Sequence, residues 1–171
     1  MPWQMRNRPP EDPRIQIDTA QICVNGHVIT AHVHTQPEFC EEFCTRCGEQ
    51  TIVACQSCKK QIRGLPPWMM IRYKAPAFCH ACGKPYPWTS RTLEAAKAYA
   101  QDLQSLTGEE RVQLALSLDD LVRDTPMAPV SANHFKRLVA KAGREAPGFF
   151  KDLLVELVSE TVKKVIWGPA A

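Results

Sequence analysis

The sequence predicts an α+β protein in which an N-terminal half of short β-hairpins, folded around two metal ions, precedes a small α-helical bundle. Two observations predict it. Eight cysteine and histidine side chains form four tight pairs between positions 23 and 82, and the chain beyond position 88 follows a helical period of apolar residues. We expect three parts: a flexible arm (1–18), a metal-binding domain (19–88) and a helical domain (89–171).

The four pairs have the spacing of zinc ligands. The first pair is C-x3-H and the others are C-x2-C, at which one tight turn points two side chains at one ion. Zinc takes four N or S ligands in a tetrahedron, so eight ligands make two closed sites, one of three cysteines with a histidine and one of four cysteines. We therefore predict two Zn²⁺ ions per chain. The predicted ligands are Cys23, His27, Cys44, Cys47, Cys55, Cys58, Cys79 and Cys82.

The order in which the pairs combine decides the fold of this half. The segments between the pairs hold 16, 7 and 20 residues, and Thr51–Ala54 in the shortest segment resembles a strand that would separate its two ends. The motif Phe43–Gly48 also recurs as Phe78–Gly83, each copy ending in a glycine suited to a turn. These features favour two tandem zinc ribbons, each made from consecutive pairs. The alternative is a cross-brace binuclear treble clef, in which the pairs interleave.

The remaining cysteine and histidines receive no ligand role. Cys40 is expected to be a spare thiol, His32 and His34 to lie on a solvated face, and His80 to point outward from its turn. A disulfide scaffold is the other reading of eight cysteines, but the N-terminal residues contain no apolar segment of a secretory signal. No run of 18 apolar residues exists either. We expect a cytoplasmic protein.

The predicted metal sites favour structure over catalysis. A catalytic zinc keeps one position open for water, whereas protein ligands fill every position here. The zinc-deaminase pattern and H-E-x-x-H are both absent. We assign no catalytic residue.

The charge of the chain gives weak evidence for a nucleic-acid partner. The formal net charge is +3, but seven zinc-bound thiolates and two Zn²⁺ ions would bring it to about zero. A local cluster of basic side chains remains near Trp68 and Tyr73, and such interleaving is typical of proteins that bind single strands. Its members are Lys59, Lys60, Arg63, Arg72 and Lys74.

The second half predicts four helices. Thr89 or Ser90 would cap the first near Arg91, and a capping box at Thr107–Glu110 would start the second. Ser131 would cap the third. The last is predicted as one continuous helix over residues 147–167, with an apolar stripe that faces either the bundle core or a partner.

Several motifs resemble those of a known family. The chain is similar to uncharacterised bacterial zinc-ribbon proteins with a C-terminal helical tail, a domain of unknown function. The resemblance implies bacterial origin and bound zinc, with no established activity, and family members lack a cysteine where Cys40 stands. The segments that carry the resemblance are residues 22–30, 43–48, 62–64, 78–89, 124–126, 135–138 and 163–167.

These features lead to one functional hypothesis and two alternatives. The hypothesis is a non-enzymatic zinc-binding adaptor of a bacterial cytosolic system, which contacts a protein through the Trp68/Met69 tip of the segment Leu65–Met70 or through the 147–167 helix. The first alternative is a RING-like ubiquitin-ligase module, which needs the cross-brace. The second is a ribbon that binds single-stranded nucleic acid through Lys59, Lys60, Arg63 and Arg72.

Overall fold

A computed structural model describes residues 17–69 and 71–168 of the chain. Contacts divide it into two compact units, one ending at Lys84 and the other beginning at Pro85. The first contains a small sheet and the second contains five α-helices. The predicted α+β architecture is therefore confirmed. Most of the predicted arm (1–18) and Met70 of the predicted apolar tip lie outside the described residues.

A three-stranded antiparallel sheet organises the first unit. Its strands are β1 (Gln21–Cys23), β2 (Val28–Thr30) and β3 (Thr51–Ile52), in the spatial order β2-β1-β3. Gly26 closes the β1–β2 turn at φ +89°, a conformation that glycine adopts without steric cost. The sheet thus places Cys23, at the end of β1, close to His27 just before β2.

Few large apolar side chains are buried in the first unit. Ile22, Ile62 and Ala20 are completely buried, and the N–H of Ala20 donates to the carbonyl of Ile62 at 2.9 Å. A short 3₁₀ helix (Pro37–Phe39) lies between β2 and β3 and leaves Phe39 exposed. Hydrophobic burial on this scale does not fold about 65 residues by itself.

The buried carboxylate of Asp18 joins the start of the first unit to the turn after β2. It accepts hydrogen bonds from the backbone N–H groups of Thr19 (2.6 Å), His34 (3.0 Å) and Thr35 (3.0 Å), and from the Thr35 hydroxyl (2.7 Å). Burial alone would raise the pKa of Asp18, but these hydrogen bonds lower it below its ordinary value. Asp18, which was expected to belong to the flexible arm, is thus part of the folded unit.

Five helices make up the second unit, and their apolar faces form its core. Phe135 and Phe150, both fully buried, meet edge to face with their ring centroids 5.1 Å apart. Leu114 and Leu118 contribute two further buried side chains from one helix. The helices are α1 (Pro87–Asp102), α2 (Gly108–Leu121), α3 (Ala128–Lys141), α4 (Ala146–Leu154) and α5 (Glu160–Trp167). None of these helices is long and apolar enough to cross a membrane.

One helix, α2, begins where the sequence predicts, whereas α1 and α3 begin earlier than predicted. The capping box of α2 is present, with Thr107 and Glu110 bonded reciprocally. Helix α1 begins at Pro87 instead of near Arg91, because proline fits the first helical turn, where its missing N–H costs nothing. Helix α3 likewise has a proline in its first turn and begins before Ser131, whose hydroxyl donates to Asp120 at 2.8 Å.

The predicted single helix over residues 147–167 is wrong. It is interrupted after α4, and Ser159 caps α5 by accepting a hydrogen bond from the N–H of Val162 at 3.3 Å. An unbroken helix would be about 31 Å long, against about 21 Å for the 14-residue α3. The break lets both α4 and α5 contact α3. The apolar stripe therefore belongs to the core, with Phe150, Leu154, Val158, Val162 and Ile166 all buried.

Candidate metal centres

The structure gathers the eight predicted ligands into two groups of four. Within each group, the potential ligand atoms all lie within 4.8 Å of one another. Consecutive pairs combine, which is the tandem arrangement, so the cross-brace alternative is wrong for this chain. The first group is Cys23, His27, Cys44 and Cys47, and the second is Cys55, Cys58, Cys79 and Cys82.

Distances within the first group fit a tetrahedral ion. The Nδ1 atom of His27 lies 3.5 Å from the Sγ atoms of both Cys23 and Cys44, and the Sγ atoms of Cys23 and Cys47 are 3.8 Å apart. A regular tetrahedron with the usual zinc bond lengths places S and N about 3.6 Å apart and two S atoms about 3.8 Å apart. Three sulfurs and the Nδ1 nitrogen are therefore arranged as one metal ion would require.

The second group has the same dimensions with sulfur alone. Its Sγ atoms lie 3.8 Å apart between Cys55 and Cys82, and 3.7 Å apart between Cys58 and Cys79. A disulfide would need about 2.05 Å, and all eight cysteines of the chain are free thiols. The disulfide scaffold is excluded, and both groups have the geometry to hold a metal ion.

Each C-x2-C pair lies in a tight turn. In two of these turns a glycine follows the last cysteine, and in the third a lysine takes its place. In the second and fourth pairs, Gly48 and Gly83 follow the last cysteine at φ +72° and +69°, as the sequence predicts. Lys59 occupies the same place after Cys58 at φ +62° and is the only described non-glycine residue with positive φ. Its N–H donates to the carbonyl of Cys55 at 2.9 Å. The strain of a side chain in this conformation costs about 1–2 kcal/mol.

Backbone N–H groups around the sulfurs favour thiolates. The N–H groups of Asn25 and His27 both lie 3.3 Å from the Sγ of Cys23, and such contacts orient ligands in metal sites. The N–H of Glu49 is the main cause that lowers the pKa of Cys47 to about 6. The N–H of Ala81 acts in the same way on Cys79, whose pKa also falls to about 6. Each group thus contains a cysteine whose thiol ionises near neutral pH. The resulting thiolate is the form of cysteine that binds metal.

Two other thiols, those of Cys58 and Cys23, have raised pKa values. Although the N–H of Lys60 lowers the pKa of Cys58, burial and the three nearby thiols raise it to about 11. Burial, as the main cause, raises the pKa of Cys23. Four thiols at this spacing do not all ionise without a cation between them.

The remaining cysteine and histidines lie outside both groups, and one differs from its prediction. His34 and His80 are exposed, as expected, and Cys40 is exposed as well. His32 was expected on a solvated face, but only 7% of it is exposed, and its Nδ1 has no hydrogen-bond partner within the described ranges. The alternation of His32 and His34 misled the prediction because β2 ends at Thr30.

The predicted contact residues lie close to the second ligand group in the chain. Of the two predicted tip residues, Trp68 is 65% exposed and Met69 is half-buried. Ile71, which was not a predicted contact, is 63% exposed. The Tyr73 hydroxyl donates to the carbonyl of Arg63, and burial raises the pKa of Tyr73 to about 12. Burial first, and then the positive charges of Arg63 and Lys60, lower the pKa of His80. Lys60 and Arg63 are therefore near His80 in space.

Metal analysis of the purified protein should give about two zinc ions per chain. Cys40→Ser should leave this ratio unchanged, because Cys40 belongs to neither group. Cys44→Ser, the matched change four residues away, should lower the ratio to about one. A ratio near one in the wild type, or loss of metal from Cys40→Ser, would contradict the ligand assignment.

Replacing Lys59 by glycine should stabilise the first unit by about 0.5–1 kcal/mol, because glycine removes the strain of the left-handed conformation but gains entropy in the unfolded chain. Gly83→Ala should cost about 1 kcal/mol through the backbone alone, since an added Cβ would meet no atom within 4 Å. Zinc release to a chromogenic chelator during urea unfolding measures both changes. Lys60→Gly is the control, and equal stabilisation by that variant would refute the strain at Lys59.

Comparison with known proteins identifies a family without a known activity. Neither the curated proteins nor the solved structures contain a match to this chain. Residues 16–166 match a family described as uncharacterized protein conserved in bacteria (DUF2321). This match covers both ligand groups and nearly all of the helical unit, so the chain belongs to that uncharacterised bacterial family.

Proposed function

We propose that this protein is a non-enzymatic zinc-binding adaptor of the bacterial cytoplasm, which binds another protein through an exposed apolar turn. The observation that carries the proposal is the exposure of Trp68 and Ile71, at 65% and 63%, on the unit that contains both ligand groups. Large apolar side chains that remain in water at nearby positions usually mark contact sites. We call Trp68 and Ile71 the apolar turn.

Zinc is the metal that these donors favour. Thiolates with a single imidazole are soft ligands, and tetrahedral sets of four cysteines, or of three cysteines and one histidine, are those of structural zinc sites. With four protein donors in each group, water and substrate have no open position on the ion. The proposed role of both ions is therefore to hold the fold. Reduced thiols persist in the cytoplasm, which supports that compartment.

Backbone hydrogen bonds hold the residues that precede the apolar turn. The N–H of Gly64 donates to the carbonyl of Asp18 at 2.7 Å, and the N–H of Leu65 donates to the carbonyl of Ala31 at 3.1 Å. A Cβ at Gly64 would lie 2.1 Å from the Ala31 carbonyl oxygen, so the close approach requires glycine. A tight turn follows, in which the N–H of Met69 donates to the carbonyl of Pro66 at 2.9 Å. A contact surface held in this way loses little entropy on binding.

The other two protein-binding ideas have less support. The apolar stripe of residues 147–167 is buried in the helical core and does not offer a free face. The RING-like ubiquitin-ligase alternative depends on a cross-brace, and the ligand groups are tandem. The apolar turn remains as the proposed protein contact.

Trp68→Ala combined with Ile71→Ser should weaken capture of the native partner by about 30-fold or more, because a central tryptophan often contributes about 2 kcal/mol or more to binding. The measurement is quantitative pull-down from the native host, with partners identified by mass spectrometry. Leu116→Ala is the matched control, since Leu116 is 64% exposed on α2 of the other unit.

Two results would contradict the proposal. If the double variant recovers the same partners as the wild type, the apolar turn is not the contact site. If the purified protein turns over a substrate repeatedly, the adaptor function itself is wrong.

A further inference from the structure

Charged residues in the first unit are separated along the chain. Residues 17–49 contain five carboxylates and one arginine, whereas residues 50–84 contain six lysines and arginines and no carboxylate. The second ligand group is thus built in a wholly basic segment. We call its six cationic side chains the basic surface: Lys59, Lys60, Arg63, Arg72, Lys74 and Lys84.

The six residues of the basic surface are exposed and form no ion pair with the carboxylates of residues 17–69 and 71–168. Some lysines of the helical unit do form such ion pairs. Lys97 lies 2.8 Å from Asp119, and Lys141 lies 2.6 Å from Glu110.

The fold brings the basic surface together around the second ligand group. Cys55 and Cys79 each donate a backbone N–H to a carbonyl of this surface, at Lys60 (2.8 Å) and Lys84 (2.9 Å). The Tyr73 hydroxyl bonds the carbonyl of Arg63, which brings the segment carrying Arg72 and Lys74 to the same place. The backbones of three separate segments that carry these cations thus meet beside the second ligand group.

The charge of this region stays positive after metal binding. Four thiolates and one Zn²⁺ contribute −2 together, which leaves about +4 from the six cations. The preceding segment is acidic, so the net positive charge of the unit is confined to residues 50–84. A concentration of unpaired cations of this kind binds phosphates by releasing their counterions.

We propose that the basic surface binds the phosphate backbone of nucleic acid, without base specificity and separately from the apolar turn. Its composition favours nucleic acid over an acidic protein. Four of the six cations are lysines, which are depleted at protein interfaces but bind phosphates well as point charges. Nucleic acid also carries its phosphate charges at regular intervals along the chain, so one strand can contact cations that lie on three separate segments. The adaptor and the nucleic-acid surface would then be adjacent functions of one unit.

Fluorescence anisotropy of labelled 20-nucleotide oligo(dT) and of a labelled 20-bp duplex tests the proposal with the zinc-loaded full-length protein. Binding is measured from about 50 to 200 mM NaCl, a range over which phosphate contacts weaken steeply. The variant Lys59→Gln/Lys60→Gln/Arg63→Gln should bind at least about tenfold more weakly at the lowest salt. Its slope of log K against log salt should be shallower by about 2–3, because each phosphate that the variant no longer neutralises accounts for about 0.7–0.9.

Matched variants separate this surface from general charge and from the apolar turn. Arg137→Gln/Lys151→Gln/Lys164→Gln removes three exposed cations from the helical unit and should leave binding unchanged within about twofold. Trp68→Ala should also leave it unchanged, although the same substitution weakens protein capture. Zinc content and circular dichroism equal to those of the wild type establish that each variant is folded.

Binding to either oligonucleotide that weakens only in the basic-surface variant supports the proposal. Three results would overturn it. The first is no change in anisotropy at about 50 mM salt, and the second is an equal loss of binding in the helical-unit variant. The third is displacement by polyglutamate at the same concentration of charges as unlabelled oligo(dT), which would assign the surface to acidic proteins.

Discussion

Two sets of four donors, each arranged as one metal ion would require, are the constraint on which our account of the first unit depends. Only Ile22 and Ile62 are large apolar side chains that the described part of this unit buries completely. Structural zinc contributes about 10–16 kcal/mol for each site in small domains, which exceeds what this core supplies. Without a cation, seven thiols and an imidazole would be held 3.5–3.8 Å from their neighbours, where ionised sulfurs repel one another. Two structural metal ions would therefore account for a fold that its apolar contacts alone do not.

The same metal-held frame positions the proposed contact surfaces. The base of the apolar turn is hydrogen-bonded to the start of the unit and to the residue after β2, through Gly64 and Leu65. Three cations of the basic surface, Lys59, Lys60 and Lys84, come within two residues after cysteines of the second ligand group. Both surfaces thus depend on the frame for their position. The strained backbone conformation of Lys59 also lies within this frame.

Features set by local chemistry were predictable from the sequence. Spacing identified the members of both ligand groups, and the glycines at 48 and 83 identified two of the turns. The order of pairing was also predictable, since the repeated Phe-Cys-x2-Cys-Gly motif favours consecutive pairs. The capping box at Thr107 is another local signal, because its two hydrogen bonds join residues three apart.

Features set by tertiary packing were not predictable. The break between α4 and α5 accompanies the packing of both helices on α3. The hydrophobic period of residues 147–167 carries no information about the length of the helix on which they pack. Burial of His32 depends on the end of β2 at Thr30. The positive φ of Lys59 is imposed by the turn of the third pair against the preference of lysine. The proximity of Arg63 to Tyr73 results from chain segments that meet only in the folded unit.

The central claim is that consecutive pairs share an ion, and zinc content of two double variants tests it most directly. Cys23→Ser/Cys44→Ser removes two donors from one group, so one zinc ion per chain should remain. Cys23→Ser/Cys55→Ser removes one donor from each group, so the zinc content should fall to almost none. The reverse result, with one ion retained by the second variant and almost none by the first, would contradict the tandem arrangement and restore the cross-brace.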